Sequence, residues 1–149
     1  MPRHRLIISD KELVEQVKRF GIVSNKSLIL QPPQLLPQEE KFLPYLLRGI
    51  IDGDGGVAPT SYGGAQFYIV SMSENFIDWL VDVLENRLYM VDIHKNQNER
   101  GLWRIETSNQ SNILKLIALV YDKPFGMARK YNLLRQTFRD YNSDPLLQG

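Results

Sequence analysis

The chain has 149 residues, 43% apolar and 23% charged, with 10 Gly, 8 Pro and no Cys, a composition that fits one globular domain and leaves no room for a second. At this length roughly 68–70% of the unfolded surface can be buried, so a core forms without disulfides or a zinc cluster, and the lack of Cys excludes thiolate metal sites and Cys nucleophiles. The net charge of +1 hides an uneven spread: residues 1–41 hold seven Lys/Arg against five Asp/Glu, residues 42–87 two against six, and residues 88–149 nine against six.

No apolar run approaches the roughly 18–20 residues of a membrane span, and MPRHRLIISD lacks the apolar stretch of a signal peptide. A protein inside the cell, cytoplasmic or organellar and not secreted, is expected. Ser9-Asp10-Lys11-Glu12 has the form of a capping box, and Leu13, Val14, Val17 and Phe20 recur at helical spacing until Gly21 offers a stop. Residues 25–38 contain three prolines and little periodicity, which predicts an extended connector. Residues 1–41 thus form an N-terminal helix and connector, set apart from a core over 42–149.

From Phe42 to Ile51 the apolar residues Leu43, Leu46, Leu47, Ile50 and Ile51 occupy more than one helical face, the pattern of a helix buried on two sides. Gly49 within it costs about 1 kcal/mol relative to Ala and suits the close approach of another backbone. The helix is expected to end at Asp52-Gly53-Asp54-Gly55-Gly56. Two β-like runs, 57–62 and 65–72, flank Gly63-Gly64, a hairpin signal. Ser73 then caps a helix whose Phe76, Trp79, Leu80, Val83, Leu84 and Leu88 form an amphipathic stripe. A second strand pair, 89–95 and 101–108, is joined by the polar turn Asn-Gln-Asn-Glu-Arg. Asn109 precedes a helix with Ile113, Leu114, Ile117, Val120 and Tyr121 inside. A last helix, from about Arg129 to Tyr141, carries Tyr131, Leu134, Phe138 and Tyr141 inward. Between Lys123 and Arg139 lie five cations and no acid, which describes either a solvated helix face or a surface for a polyanion.

Paired hairpins with helices between them predict an α+β fold, an antiparallel four-stranded sheet covered by helices on one face. The other face must meet water or a ligand. Alternation offers it Tyr62, Gln66, Tyr68, His94, Arg100, Arg104 and Glu106.

Residues 47–55 read Leu-Arg-Gly-Ile-Ile-Asp-Gly-Asp-Gly, which resembles the nonapeptide that names the LAGLIDADG homing endonucleases, with six of nine letters matching. A calcium loop is excluded, because the EF-hand pattern begun by Asp52 and Asp54 needs Asp or Asn, Gly and Glu where the chain has Gly56, Val57 and Gly63. The resemblance implies an αββαββα core over about residues 42–121, the element order that periodicity gives separately.

The resemblance further implies a homodimer, since the chain carries a single motif and single-motif members of the family act in pairs. The motif helices would meet through Leu46, Leu47, Gly49, Ile50 and Gly53, each delivering an acid to the floor of a DNA groove. Asp54, with the Gly53 carbonyl, is implied to hold a divalent ion, Mg²⁺ by the hardness of its oxygens, and Asp52 to form the turn. The Arg-Lys-Tyr of residues 129–131 is similar to the family's basic element near the scissile phosphate, assigning that catalytic role to Lys130, with Arg129 second to it. Ser71 or Ser73 is the remaining side chain for ordering water.

Double-stranded DNA would be read by the open sheet face, for which the candidates are Tyr62, Gln66, Tyr68, Lys95, Asn96, Gln97, Asn98, Arg100 and Arg104, while Lys123 and Arg135 would touch phosphates. Each of these residues singly also fits a solvated strand or helix. The implied activity is metal-dependent double-strand cleavage at a long pseudo-palindromic site by an enzyme encoded in an intron or other mobile element. The alternative is a non-cleaving binder on the same scaffold, an RNA maturase or transcription regulator. An intein fragment is disfavoured by the absence of a splicing-type start and of a terminal His-Asn pair.

Overall fold

The structure is a computed structural model that describes residues 7, 9–20, 30–61, 64–120, 132, 133 and 135. Helix α1 spans Lys11–Arg19. Its cap is Asp10 rather than Ser9: the Asp10 side chain accepts from the Leu13 amide at 2.8 Å. A carboxylate at that position also complements the helix dipole. The connector has no regular structure over residues 30–36 and tightens into a 3₁₀ turn, Pro37–Phe42.

Arg19 ties α1 to that turn through paired bonds to Glu39, Nη1 to Oε2 at 2.6 Å and Nη2 to Oε1 at 2.7 Å. Glu39 also accepts from the Leu36 amide at 2.9 Å. The Arg19 hydrogen bonds first, and the Leu36 amide second, hold the Glu39 carboxyl at about 2 against an ordinary 4.5. A carboxyl lowered in this way stabilises the fold above its unfolded value, and the contribution is lost as pH falls through its folded value. Thermal melting of the wild type is therefore expected to decline more steeply than that of Glu39→Gln between pH 4.5 and about 2; parallel pH profiles would show that this pair contributes nothing.

Helix α2 runs Leu43–Asp54, with Leu43, Leu47 and Ile51 buried on one side. It continues three residues beyond Ile51, so Asp52 lies in the last helical turn. The break comes at Gly55, where a Cβ would sit 2.7 Å from the Ile51 carbonyl oxygen. Strand β1, Gly55–Pro59, starts there and pairs antiparallel with β2, Ala65–Ser71. At the hairpin Gly64 has φ +81°, a conformation that L side chains rarely adopt. The Gln110 amide grips the neighbouring Ala65 backbone.

Helix α3, Glu74–Asp82, is capped by Ser73, whose hydroxyl accepts from Phe76 N and donates to the Leu30 carbonyl. It widens into a π turn over Val83–Arg87, closed by Leu88 N bonding the Val83 carbonyl. Phe76, Ile77, Leu80, Val83, Leu84 and Leu88 are buried, and Trp79 stacks on Phe76 with ring centroids 5.7 Å apart.

Strand β3 covers His94–Gln97 and β4 covers Trp103–Thr107. The expected strand over 89–95 is thus displaced. Tyr89 and Asp92 have φ of 50° and 54°, and Asn112, fully buried, bonds both the N–H and the C=O of Val91. With those backbone groups engaged, residues 89–93 cannot join a ladder. Asn96 and Gln97 belong to β3, and the turn is confined to Asn98–Gly101.

Helix α4, Gln110–Val120, begins after Asn109, whose Oδ1 accepts from Ser111 N. Its inward side is Asn112, Ile113 and Leu116, while Leu114, expected inside, is 49% exposed. The side chain of Val120, Tyr121 and most of the expected last helix lie outside the described residues, where Asn132, Leu133 and Arg135 are helical.

The sheet order is β1-β2-β4-β3, antiparallel throughout. Ala65, Phe67, Ile69, Ile105 and Thr107 pack under α2, α3 and α4, and the opposite face carries no described helix. No helix among the described residues is long and apolar enough to cross a membrane.

Candidate active site and nucleic-acid interface

Helix α2 has two sides with different roles. Leu47, expected on the pairing face, is 1% exposed and points into the protomer's own core beside Ile51. On the other side Phe42, Leu46, Gly49 and Gly53 fall at i, +4, +7 and +11, one line along a helix, flanked by Tyr45 and Ile50. Phe42 and Tyr45 are exposed, and a Cβ at Gly49 or Gly53 would meet nothing within 4 Å among the described residues. Leu46, Gly49 and Gly53, with Tyr45 and Ile50, form the floor of a groove of about 410 Å³, walled by Phe20, Leu30, Pro33 and Phe76 and ending at Asp54. Phe42 and Tyr45 share this side with Gly49, seven and four residues before it.

Asp54 is the last residue of α2 and is exposed. The C-terminal end of a helix is the negative end of its dipole, yet α2 places Asp52 and Asp54 there with no basic residue in its last turn. The Gly53 carbonyl lies in the same turn, where carbonyls have no amide four residues ahead within the helix. The arrangement favours a bound cation. Among the described residues no three His, Cys, Asp or Glu side chains gather to hold a metal. One carboxylate with neighbouring carbonyl oxygen is a hard and incomplete donor set. It suits an ion of the Mg²⁺ type, which keeps waters and takes its other ligands from phosphates.

The open sheet face carries, by register, Gly56, Ala58, Gln66, Tyr68, Val70, Arg104, Glu106, His94 and Asn96. Tyr68 lies across the strand from Gly56, and its ring occupies the space that a Cβ on Gly56 would need. The Arg104 guanidinium sits 4.0 Å from the Tyr68 ring centroid, and its Nε donates to Glu106 at 2.5 Å.

Not all the candidates share this face. Lys95 is on the helix side, where its ammonium bonds Asp78 and Glu74 of α3 and lies 4.3 Å from the Trp103 ring centroid. The hydrogen bond to Asp78, above all, raises its pKa above the ordinary lysine value. Gln97 shares that parity and donates to the Gly101 carbonyl at 3.2 Å. Asn98 shapes the turn, its Oδ1 accepting from the Arg100 and Leu102 amides at 3.0 Å each, and Arg100 is exposed at the tip. Ser73 is buried and committed to its cap and to Leu30, and Ser71 Oγ accepts from Ser73 N. Tyr62, Lys123, Arg129 and Lys130 lie outside the described residues, and Arg135 is exposed on its helical turn.

The LAGLIDADG meganuclease I-AabMI, solved bound to uncleaved DNA, superposes with a TM-score of 0.52 at 16% identity, over 68% of this chain and 38% of that one. The archaeal intron-encoded homing endonuclease I-Vdi141I, solved in complex with DNA, gives a TM-score of 0.51 at 17% identity, over 68% of this chain and 69% of that one. The chain thus spans well under half of I-AabMI, and at these identities the likeness concerns the fold, which is that of the LAGLIDADG homing endonucleases. No curated protein matches the sequence. A family model described as a LAGLIDADG-like domain matches residues 42–120. The chain belongs to that family.

Proposed function

We propose that this chain is one half of a homodimeric, Mg²⁺-dependent, site-specific DNA endonuclease, the product of an intron or other mobile element, that breaks both strands of a long pseudo-palindromic site inside the cell. The observation that carries the reading is the groove side of α2, a line of apolar and very small residues that ends in an acid with no countercharge in its last turn. A second copy laid along that line would bring two Asp54 side chains together near a two-fold axis. Their like charges would repel unless cations lay between them. When bound, a divalent ion supplies Lewis-acid stabilisation of the scissile phosphate and lowers the pKa of attacking water.

Within this reading Asp54 is the anionic ligand and Gly53 lends its carbonyl. Lys130, with Arg129, places positive charge beside the phosphate. Gln66, Tyr68, Asn96, Arg100 and Arg104 face the bases, Lys123 and Arg135 touch the backbone, and residues 1–41 serve as an accessory element beside the groove. Two equivalent half-sites follow from C2 symmetry.

The test is incubation of the purified chain with a randomised duplex library with and without Mg²⁺, followed by sequencing of the new ends. Mg²⁺-dependent double-strand ends at a two-fold symmetric sequence are expected. Sequence-selective binding with no new ends under any divalent ion would make the protein a non-cleaving regulator.

A further inference from the structure

Arg104 stands apart from the other polar residues of the open sheet face. It lies in β4, which is paired on both sides, by β2 and by β3. Its Nε donates to Glu106 Oε2, and its guanidinium lies over the Tyr68 ring. Tyr68 and Glu106 are themselves direct partners across the β2–β4 ladder. The Tyr68 ring is in turn seated on Gly56, where any side chain would displace it. The Arg104 and Glu106 side chains are 32% and 25% exposed, against 52% and 37% for the surface pair Arg87–Glu40. An arginine that is usually a long, mobile cation is here held on an edge and on a face, and neither Nη is bonded to a described residue.

We propose that Arg104 reads a guanine in each half of the DNA target, and that Tyr68 and Glu106 are the residues that position it. Two parallel N–H donors match the O6 and N7 acceptors of guanine in the major groove, and no other base edge offers that pair. With Nε occupied, the two Nη groups are the donors left to do this. Prior fixation reduces the ordering cost of binding and rejects bases that require another approach angle.

Glu106 decides between this and a phosphate contact. A carboxylate on a DNA-facing surface repels the backbone, so an arginine meant only for phosphates is weakened by such a neighbour. An arginine meant for one base edge gains from it, because aim matters more than charge. The remaining reading, that stack and ion pair merely brace the sheet, predicts a change in stability and none in base preference.

The inference rests on the proposed DNA-binding function, and the experiment separates the two. Selection of bound duplexes from a randomised library in EDTA, so that no strand is cut, is run with wild type, Arg104→Ala and Glu106→Gln, alongside thermal melting. The wild type is expected to require guanine at one symmetric pair of positions. Arg104→Ala should lose about 10- to 100-fold of that discrimination, at those positions only. Glu106→Gln should keep or increase overall affinity while its guanine preference drops. Arg104→Ala weakening all sequences alike, with a salt slope smaller by about one, would make Arg104 a phosphate contact and overturn the inference while leaving the DNA-binding function intact. Unchanged selection by both variants, or a change in melting alone, overturns it equally. A wild type that enriches no sequence overturns both.

Discussion

Asp54→Asn is expected to abolish cleavage while leaving DNA binding and folding in place. Losing a residue that merely supports a metal ligand costs about 10- to 100-fold in affinity or activity. Replacing the anionic ligand itself should exceed that, because among the described residues no cluster of acids or histidines stands ready to take over. Binding should be unchanged or tighter, since the substitution removes a negative charge from a surface that meets phosphates and leaves the sheet contacts untouched. Stability supplies a third readout. Asp54 is exposed at the negative end of α2, and its last turn contains no basic side chain, so its charge is unfavourable there by about 0.3–1 kcal/mol without a bound cation. The Asn variant should therefore melt no lower than the wild type in EDTA. In the wild type, but not in the variant, added Mg²⁺ should raise the melting temperature. Cleavage by Asp54→Asn at the wild-type rate would remove the residue from the chemistry. A fall in melting temperature would make it structural instead.

The scaffold that carries Asp54 was already legible in the sequence, because the helical and strand periods of residues 42–120 are strong and the glycines mark where they change. Phe76, Leu80, Val83 and Leu84 recur at a helical spacing that admits one inward face, and they are buried. Gln66 and Tyr68 alternate with Ala65, Phe67 and Ile69, so one face of β2 had to be open once the other was core. What was hidden depended on side chains bonding distant backbone. Asn112 has the look of a surface residue, yet it sits at the centre of the packing because it satisfies both polar groups of Val91. Val91 is held in that contact and not in the ladder, and Leu116, not Leu114, is buried beside Asn112 on the inward side of α4.

The site followed the same division. The acid at the helix end was legible from spacing. The exact end of α2 was not, because Gly53 tolerates helix as well as turn, and the close approach of Gly55 to the Ile51 carbonyl, which leaves no space for a Cβ, shows only in three dimensions. Lys95 shows the limit of reading charge alone. In a strand of four residues, one step of register decides whether a lysine faces solvent or the acids of α3. Leu47 shows the same for a helix wanted on both sides, since composition gives two apolar faces without saying which belongs to the protomer.

That last ambiguity yields the second large effect, which is expected at Gly49 and Gly53. Among the described residues nothing lies within 4 Å of a Cβ added at either position. Glycine in a helix interior costs about 0.8–1 kcal/mol relative to Ala, so Gly49→Ala should stabilise an isolated protomer by an amount of that order. A protein that never pairs gains from the change and loses nothing. If two copies meet along Phe42, Leu46, Gly49 and Gly53, the side chain enters the contact instead. Two helix backbones packed on glycine approach closely, and each added group forces the axes apart. Gly49→Leu and Gly53→Leu should therefore sediment as monomers at concentrations where the wild type sediments as a dimer. They should keep a cooperative melt and lose double-strand cleavage with Asp54 still in place, and Gly49→Ala should fall between them and the wild type. Dimers of normal mass and activity in both Leu variants would place any pairing surface elsewhere on the molecule. A wild type that stays monomeric on its DNA target would mean that a single Asp54 meets the duplex, and double-strand cleavage would then need two separate encounters.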